Sequence, residues 1–563
     1  MNPESISPPR PVLSEVAGPS REAARNSFLN RAWPALAAAF VVVRALPLLS
    51  VLLGQDQAIY LLFGEALLKG KQPYRDILES KPPGILILYA GFAKLFGRSM
   101  WSAAVVDILL LLVISYLLFQ FVEPYLGRAG AAIAVMVHAS MYGEMTYFWI
   151  AQAETFQLVC VLAGFLLLRR SGRWSSPSCF AAGFLLGYAC WLKYSAVAFL
   201  PFLVLFPDLD AKELDRQPRR FSLLIAWRSW LGKAAALTAG LATGIGIVLA
   251  WIVFKGNWPA MWDMQFHVVP RYAAMAVQRN PHYLLAIFAR TNYRVGVANL
   301  WAVVAALLLA WSRRDLRRFA PLFAGATSAY LGAVMQLRFY DYYFQTCFPF
   351  LAAVWAYLLI RFYEGARAWA RSFRQQGWRL AAVLVWMVFA NVIFWPLPEE
   401  FDRLTERYEE LREWSMNSES FYRNYPRQVG FEHLHGEFSV IDYLQKNAKP
   451  SDGIFVWAAM SRIYYLTGHQ PPTRFVSHYG IISLWSPPSW RVELMRGLEK
   501  SRPRFIVVGR DDKLPSMTYV NLDSEQYLAT FPQLQGFITG NYSPVASFES
   551  CVVYRRNGDA GTS

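Results

Sequence analysis

Long apolar runs recur along this chain, and many can cross a bilayer core of about 30 Å. They constrain the fold more than any other feature. The runs fall at about 32–53, 101–122, 129–143, 147–168, 178–192, 194–207, 233–254, 295–311, 319–336, 343–361 and 379–397. We therefore expect a polytopic α-helical membrane protein with about 11 transmembrane helices, the two runs within 178–207 being short enough to form a V. Only 17% of the 563 residues are charged and 55% are hydrophobic, whereas a soluble protein carries about 25% charged residues. This excludes a soluble enzyme, a disordered hub and a secreted disulfide scaffold. The 21 Trp and 29 Tyr suit a chain with much surface at membrane interfaces. Its 5 Cys show neither a pairing pattern nor metal-ligand spacing.

Basic residues set the expected orientation. Arg169, Arg170 and Arg173 form one cluster, and Lys212, Arg216, Arg219, Arg220, Arg228 and Lys233 a second. Arg313, Arg314, Arg317 and Arg318 form a third, and Arg361, Arg367, Arg371, Arg374 and Arg379 a fourth. All four fall on one side if the N-terminus is cytoplasmic, as the positive-inside rule requires. The net charge of +16 is then a topological signal that calls for no nucleic-acid partner. Residues 1–30 read as a disordered cytoplasmic tail without a cleavable signal, and residues 31–398 as the transmembrane domain. Loops 54–100, 255–294 and 337–342 face outward in this scheme. So does the more polar segment 399–563, expected to form an extracytoplasmic α/β domain. Its helical stretches are Phe438 to Asn447 and Trp490 to Lys500; its clearest strands are Gly453 to Trp457, Phe505 to Gly509 and Ala546 to Tyr554.

The first outward loop is the most informative. Ile59, Leu62, Phe63, Ala66 and Leu67 form the apolar stripe of an amphipathic helix over Asp56 to Lys69, expected to lie along the interface. Gly70 stops it. Asp56 stands at its start, either as a helix cap or as a carboxylate favoured by the helix dipole. In Ser80-Lys81-Pro82-Pro83-Gly84 the prolines open a second helix. Lys81 then lies beside free backbone N–H groups, as in a phosphate site, or snorkels at the interface. Ionisable groups also fall in or beside spans: Arg44, Asp107, His138, Glu154, Lys193 and Arg338. Such groups face a cavity or a partner. Glu154 and Lys193 stand out, as site residues or as a structural ion pair. His433 and His435 lack a third metal ligand.

The arrangement resembles the GT-C superfamily of membrane glycosyltransferases, particularly bacterial relatives of protein O-mannosyltransferases and of the lipid A aminoarabinose transferase. The matching pieces are Gln55-Asp56-Gln57, Gly70 with Pro73-Tyr74-Arg75-Asp76, Lys81-Pro82-Pro83-Gly84, Glu154, Lys193 and Arg338-Phe339-Tyr340-Asp341-Tyr342-Tyr343, followed by Pro349. The resemblance implies an inverting glycosyltransferase of the cytoplasmic (inner) membrane of a bacterium. It implies transfer of a sugar from a polyprenyl-phosphate donor to a protein, lipid or glycan acceptor on the outer face. It casts Asp56 as general base, and Lys81, Arg338 and Tyr343 as donor-phosphate contacts. Tyr74, Asp76, Glu154 and Lys193 are further site candidates. Many relatives carry Asp-Glu where this chain has Asp56-Gln57, and His-Tyr where it has Tyr342-Tyr343. Metal use and acceptor type stay open on that account; Asp56, Asp76 and Glu154 could offer oxygen ligands to a divalent cation. A lipid-linked sugar flippase or other transporter is the rival reading, weighed against by the missing repeat symmetry.

Overall fold

The computed structural model describes residues 21–558, apart from 144–148, 171–175, 204–222, 280, 314, 374–395, 425–427 and 430–431. Its first part is helical. It runs through α1 (Arg21–Ala45), α2 (Gln55–Leu68), α3 (Pro83–Phe96), α4 (Ser102–Gly143), α5 (Ala153–Arg170) and α6 (Ser176–Leu192). Then follow α7 (Leu223–Phe254), a helical stretch over 258–279, α8 (Pro281–Ser312), α9 (Leu316–Val334) and α10 (Phe348–Phe373). Local chemistry sets several boundaries. Pro83 opens α3 with a fixed φ. Gly70 and Gly97, at φ +81° and +60°, stop α2 and α3 in a backbone conformation that disfavours a Cβ. Gly127 (φ +69°) breaks α4 at a kink, so the run holds two helices.

Among the described residues, four helices are long and apolar enough to cross a membrane: Arg31–Ser50, Ser102–Gly143, Leu231–Phe254 and Asp341–Ala368. Shorter apolar helices accompany them, including Ser176–Leu192 and Tyr194–Leu203. The latter is too short to cross alone, since a span needs about 20 residues. The crossing expected at 379–397 lies almost wholly outside the described residues. Phe254, Leu308, Trp311 and Ile247 point outward, as suits an apolar solvent. Helices α6 and α7 touch through Gly183-x-x-x-Gly187 and Gly240-x-x-x-Gly244. A Cβ on Gly183 would stand 2.0 Å from the Leu237 carbonyl oxygen, and one on Gly240 1.9 Å from that of Phe180. Small residues spaced by four are how helices approach closely where lipid weakens the hydrophobic drive.

After α11 (Pro396–Met416) the chain changes character. Residues 428–556 hold a short hairpin, β1 (Gln428–Val429) with β2 (Glu432–His433), and a four-stranded sheet of order β3-β4-β6-β5. Strands β3 (Ile454–Trp457) and β4 (Phe505–Gly509) are parallel and fully buried, which matches their unbroken apolar sequences. Helices α12 (Leu434–Asn447), α13 (Ser461–Thr467) and α14 (Ser489–Ser501) precede and connect these two strands. The strand expected at Ala546 to Tyr554 is two, the end of β5 (Tyr542–Phe548) and the start of β6 (Cys551–Arg556), because Glu549-Ser550 reverses the chain. The bulged β5, with Pro544 and exposed positions, forms the sheet edge.

This C-terminal region packs directly on the first loop, and the packing corrects the amphipathic reading of α2. Gln57, Ala58, Tyr60, Leu61, Leu62, Phe63, Gly64 and Ala66 are all buried, which is more than one stripe. Helix α3 covers one side, where a Cβ on Gly64 would lie 2.5 Å from the Tyr89 carbonyl oxygen. Helix α13 covers another. Nor does Asp56 cap α2: Gly54 is the N-cap and makes no side-chain bond.

Candidate active site

Asp56, in the first turn of α2, and Lys81, just before α3, meet. The Lys81 Nζ stands 3.1 Å from the Asp56 Oδ2. Gln152 closes a triangle, its Nε2 donating to Asp56 Oδ2 at 3.1 Å and its Oε1 accepting from Lys81 at 3.2 Å. The Tyr60 hydroxyl donates to the same Oε1 at 3.2 Å, and its ring lies 4.4 Å beneath the Lys81 ammonium. The Asp56 side chain keeps 43% of its surface, that of Lys81 18%. The triangle thus keeps part of its side-chain surface accessible.

A second cation faces the same hollow. Lys193, between α6 and the turn Tyr194–Phe199, contacts the buried Glu154 carboxylate. Its ammonium sits 3.5 Å over the Tyr343 ring and 5.2 Å from that of Tyr342, while Lys81 approaches Tyr342 from 5.8 Å. Two ammonium groups therefore lie near the Tyr342 ring, whose π-system attracts cations. Burial drives the Asp56 pKa up. Lys81 opposes it, followed by the Gln152 and Lys81 hydrogen bonds and the charge of Lys193, and the net lies below the ordinary carboxylate value.

The sequence reading overlooked Glu79. It accepts from Ser80 N (2.7 Å), Ser80 Oγ (3.1 Å) and Lys81 N (3.2 Å). Burial, with the nearby charge of Asp56, pushes its pKa up to about 7. Gln265 was overlooked too. From the 258–279 stretch it donates to the Ser80 carbonyl at 3.1 Å and approaches that of Lys81 at 3.4 Å. Gln152, two residues before Glu154, was overlooked as well. A polar amide two residues before a carboxylate in an apolar run was the available signal. Asp107 supports it: Oδ1 accepts from the Ala151 N–H at 2.7 Å and the Tyr142 hydroxyl at 2.6 Å. Tyr89 donates to the Ala151 carbonyl at 2.9 Å. Ala151 has φ +46°, a disfavoured conformation that these bonds hold, and Gln152 follows it.

The remaining candidates stand elsewhere. Tyr74, buried at φ +66°, donates its hydroxyl to the Lys81 carbonyl at 2.9 Å and so braces the lysine's backbone. Asp76 turns to its own loop, accepting from Gln72 N at 2.9 Å and pairing with Arg75. Arg338 is buried; it bonds the Tyr272 carbonyl (2.6 Å), the Tyr519 hydroxyl (2.8 Å) and the Ser516 carbonyl (3.2 Å), with its guanidinium 3.6 Å over the Tyr272 ring. It reaches the pocket indirectly: Tyr272 and Tyr340 hydroxyls lie 3.0 Å apart, and Tyr340 stacks on Tyr342 at 5.9 Å. Asp56, Asp76 and Glu154 do not gather. Among the described residues no group of three or more His, Cys, Asp or Glu could hold a metal ion.

Residues 80–216 match the family model described as dolichyl-phosphate-mannose-protein mannosyltransferase. The fold is similar to the crystal structure of ArnT from Cupriavidus metallidurans bound to undecaprenyl phosphate. That likeness has a TM-score of 0.50 at 16% identity and covers 94% of this chain and 99% of that one. The chain shares the ArnT fold and is, with its long apolar helices, an integral membrane protein. The archaeal oligosaccharyltransferase AglB from Archaeoglobus fulgidus, in complex with an inhibitory peptide and a dolichol-phosphate, is also similar. There the TM-score is 0.46 at 13% identity, over 86% of this chain and 69% of that one. No curated protein matches. The stretch that matches the family model holds Lys81, Gln152, Glu154 and Lys193; Asp56 precedes it.

Proposed function

We propose that this protein is an inverting glycosyltransferase that moves a sugar from a polyprenyl-phosphate donor to an acceptor on the outer face of the membrane. The observation that carries the reading is the open Asp56–Lys81–Gln152 triangle facing Lys193. An acceptor hydroxyl is a poor nucleophile until a base takes its proton. Asp56, ionised and partly open, can take it. The oxygen then attacks the anomeric carbon from the face opposite the phosphate. The C–O bond to the lipid phosphate breaks, its electron pair leaves with the phosphate, and one displacement inverts the anomeric centre. Negative charge grows on the leaving phosphate, where Lys81 and Lys193 stabilise it. Tyr343 holds Lys193 from below, and Arg338 braces the aromatic loop.

Lys81 links the two halves of the reaction. Without donor its ammonium lies on Asp56 and holds that carboxylate a weak base. A bound phosphate competes for the same ammonium, and as it draws Lys81 away the Asp56 pKa rises. The base is thus strongest when the donor is in place. ArnT, by its description, binds undecaprenyl phosphate, which supports a lipid-phosphate donor here.

The test supplies a radiolabelled undecaprenyl-phosphate sugar to membranes containing the full chain or Asp56→Asn. Label entering a new product with the native chain, and not with Asp56→Asn at equal protein level, supports the reading. Label that crosses the bilayer without entering a new product supports a transporter instead.

A further inference from the structure

We propose that the C-terminal region sets the position of Asp56 through its neighbour Gln55, making Ser461, Arg462 and Glu437 positioning residues for the base. The inference rests on the reading of Asp56 given above.

A helix start is ordinarily loose, because its first N–H groups lack partners within the helix. The start of α2 is held from a distance. Gln55 Nε2 donates to both Glu437 carboxylate oxygens, at 3.2 and 3.0 Å. Gln55 Oε1 accepts from Ser461 Oγ at 2.6 Å and from the Arg462 N–H at 3.3 Å. The Gln55 carbonyl accepts from the same Ser461 hydroxyl at 3.0 Å, and the Leu53 carbonyl from Arg462 Nη1 at 3.0 Å. Arg462 also bonds Glu437 through Nε and Nη2. Both charged side chains are sealed, at 0% and 2% exposure. Elsewhere the C-terminal region secures the loop through the uncharged Tyr465 hydroxyl and the partly exposed Arg474. At the far end of α2, Glu65 pairs with Arg98 and lies 3.5 Å from Gln470. The closed ionic clamp stands at the end that carries Asp56.

A buried ion pair is a weak device for stability but can fix a geometry. Geometry is what a base needs, since a displacement of about 1 Å can cost about a hundredfold in rate. One residue beyond the clamp, the Asp56 carboxylate faces Lys81, Lys193, Glu79 and Tyr342, with Gln152 as a neutral partner. The clamp holds one side of this residue pair while Lys81 and Gln152 hold the other.

Gln55→Ala removes the amide and leaves the Glu437–Arg462 pair in place. The experiment uses the full chain in lipid nanodiscs and dicyclohexylcarbodiimide, which modifies protonated carboxyls. Peptide mass spectrometry follows labelling of Asp56 against pH. Freed from the clamp, Asp56 moves off Lys81, so its labelling midpoint rises by about half a pH unit or more. The transfer rate falls about tenfold, while undecaprenyl phosphate binds no more weakly than to the native chain and the melting temperature falls only as loss of the amide donor to Glu437 requires. An unshifted midpoint overturns the proposal. If Gln55→Ala fails to assemble, Ser461→Ala removes only the hydroxyl bonds; a smaller upward shift supports the clamp, and none overturns it. Asp56→Asn separates the two readings. If it is inactive while Gln55→Ala matches wild type, only the clamp fails; if it is active, the base assignment and the clamp fail together.

Discussion

Two carboxylate–cation pairs flank the first residues of α2, and they differ in almost everything but charge. Lys81–Asp56 is open, with side chains 18% and 43% exposed. Arg462–Glu437 is closed, at 0% and 2%. The open pair has a neutral third member, Gln152, and room for a competing phosphate. In the closed pair the Gln55 amide donates to Glu437 and the Leu53 carbonyl accepts from Arg462. Coulomb attraction at about 3 Å is weak where water screens it and strong where water is excluded. An open pair can therefore exchange partners during a reaction, and a closed one cannot. One type of bond is left accessible in one place and sealed a single residue away.

The contrast breaks most visibly at Asp56. Asp56→Asn keeps shape and loses the base, so transfer should fall about a thousandfold, ~4 kcal/mol at the transition state. The melting temperature should hardly move. Sugar-transfer assays and thermal unfolding on one preparation check both parts, and a stability loss equal to the activity loss would erase the distinction. Arg462→Met should lose stability first, and with it the positioning of Asp56. It leaves Glu437 charged and buried, a loss of about 3 kcal/mol, at the low end because the Gln55 amide still donates to that carboxylate. Unfolding in detergent reads it, and a wild-type midpoint would show the pair to be dispensable.

The sequence carried the open pair and hid the closed one, for a physical reason. Asp56 and Lys81 are betrayed by local chemistry: an acid in the first turn of a helix, and a lysine before a double proline. Glu154 and Lys193 are legible because charge in an apolar run demands a partner. The ion pair offered for them is present, and Lys193 also lies over the Tyr343 ring. Gln55 carries no such mark. Its partners lie 382, 406 and 407 residues away, and only packing of the C-terminal region on the loop creates them. The same packing turned α2 from an expected interfacial helix into a buried one. Arg338 shows the converse error. Its place in an aromatic motif suggested a phosphate contact, yet its guanidinium is engaged by Tyr272, Tyr519 and Ser516, partners no local pattern reveals.

Lys81→Ala sharpens the comparison at a smaller scale. Loss of the open pair's cation should weaken binding of undecaprenyl phosphate about tenfold, ~1.4 kcal/mol, with Lys193 left to hold part of the charge. It also removes the charge that most lowers the Asp56 pKa. The acidic limb of the rate profile should therefore move to higher pH. Unchanged lipid-phosphate affinity, measured by titration in detergent, would remove Lys81 from the donor site.

The smallest effect concerns Glu79, which borders the open pair without joining it. Folding raises its pKa from 4.5 to about 7, through burial first and the charge of Asp56 second. The folded protein then holds this proton more tightly than the unfolded chain. The associated stability is complete below the unfolded value and drains away as pH rises through about 7. Glu79→Gln is neutral throughout and removes that dependence. The variant's melting temperature should decline less than the native chain's between pH 5 and pH 8, the two curves separating most above 7. Parallel curves would mean that Glu79 stays ionised across this range, and Asp56 would then face a second full negative charge rather than a titrating neighbour.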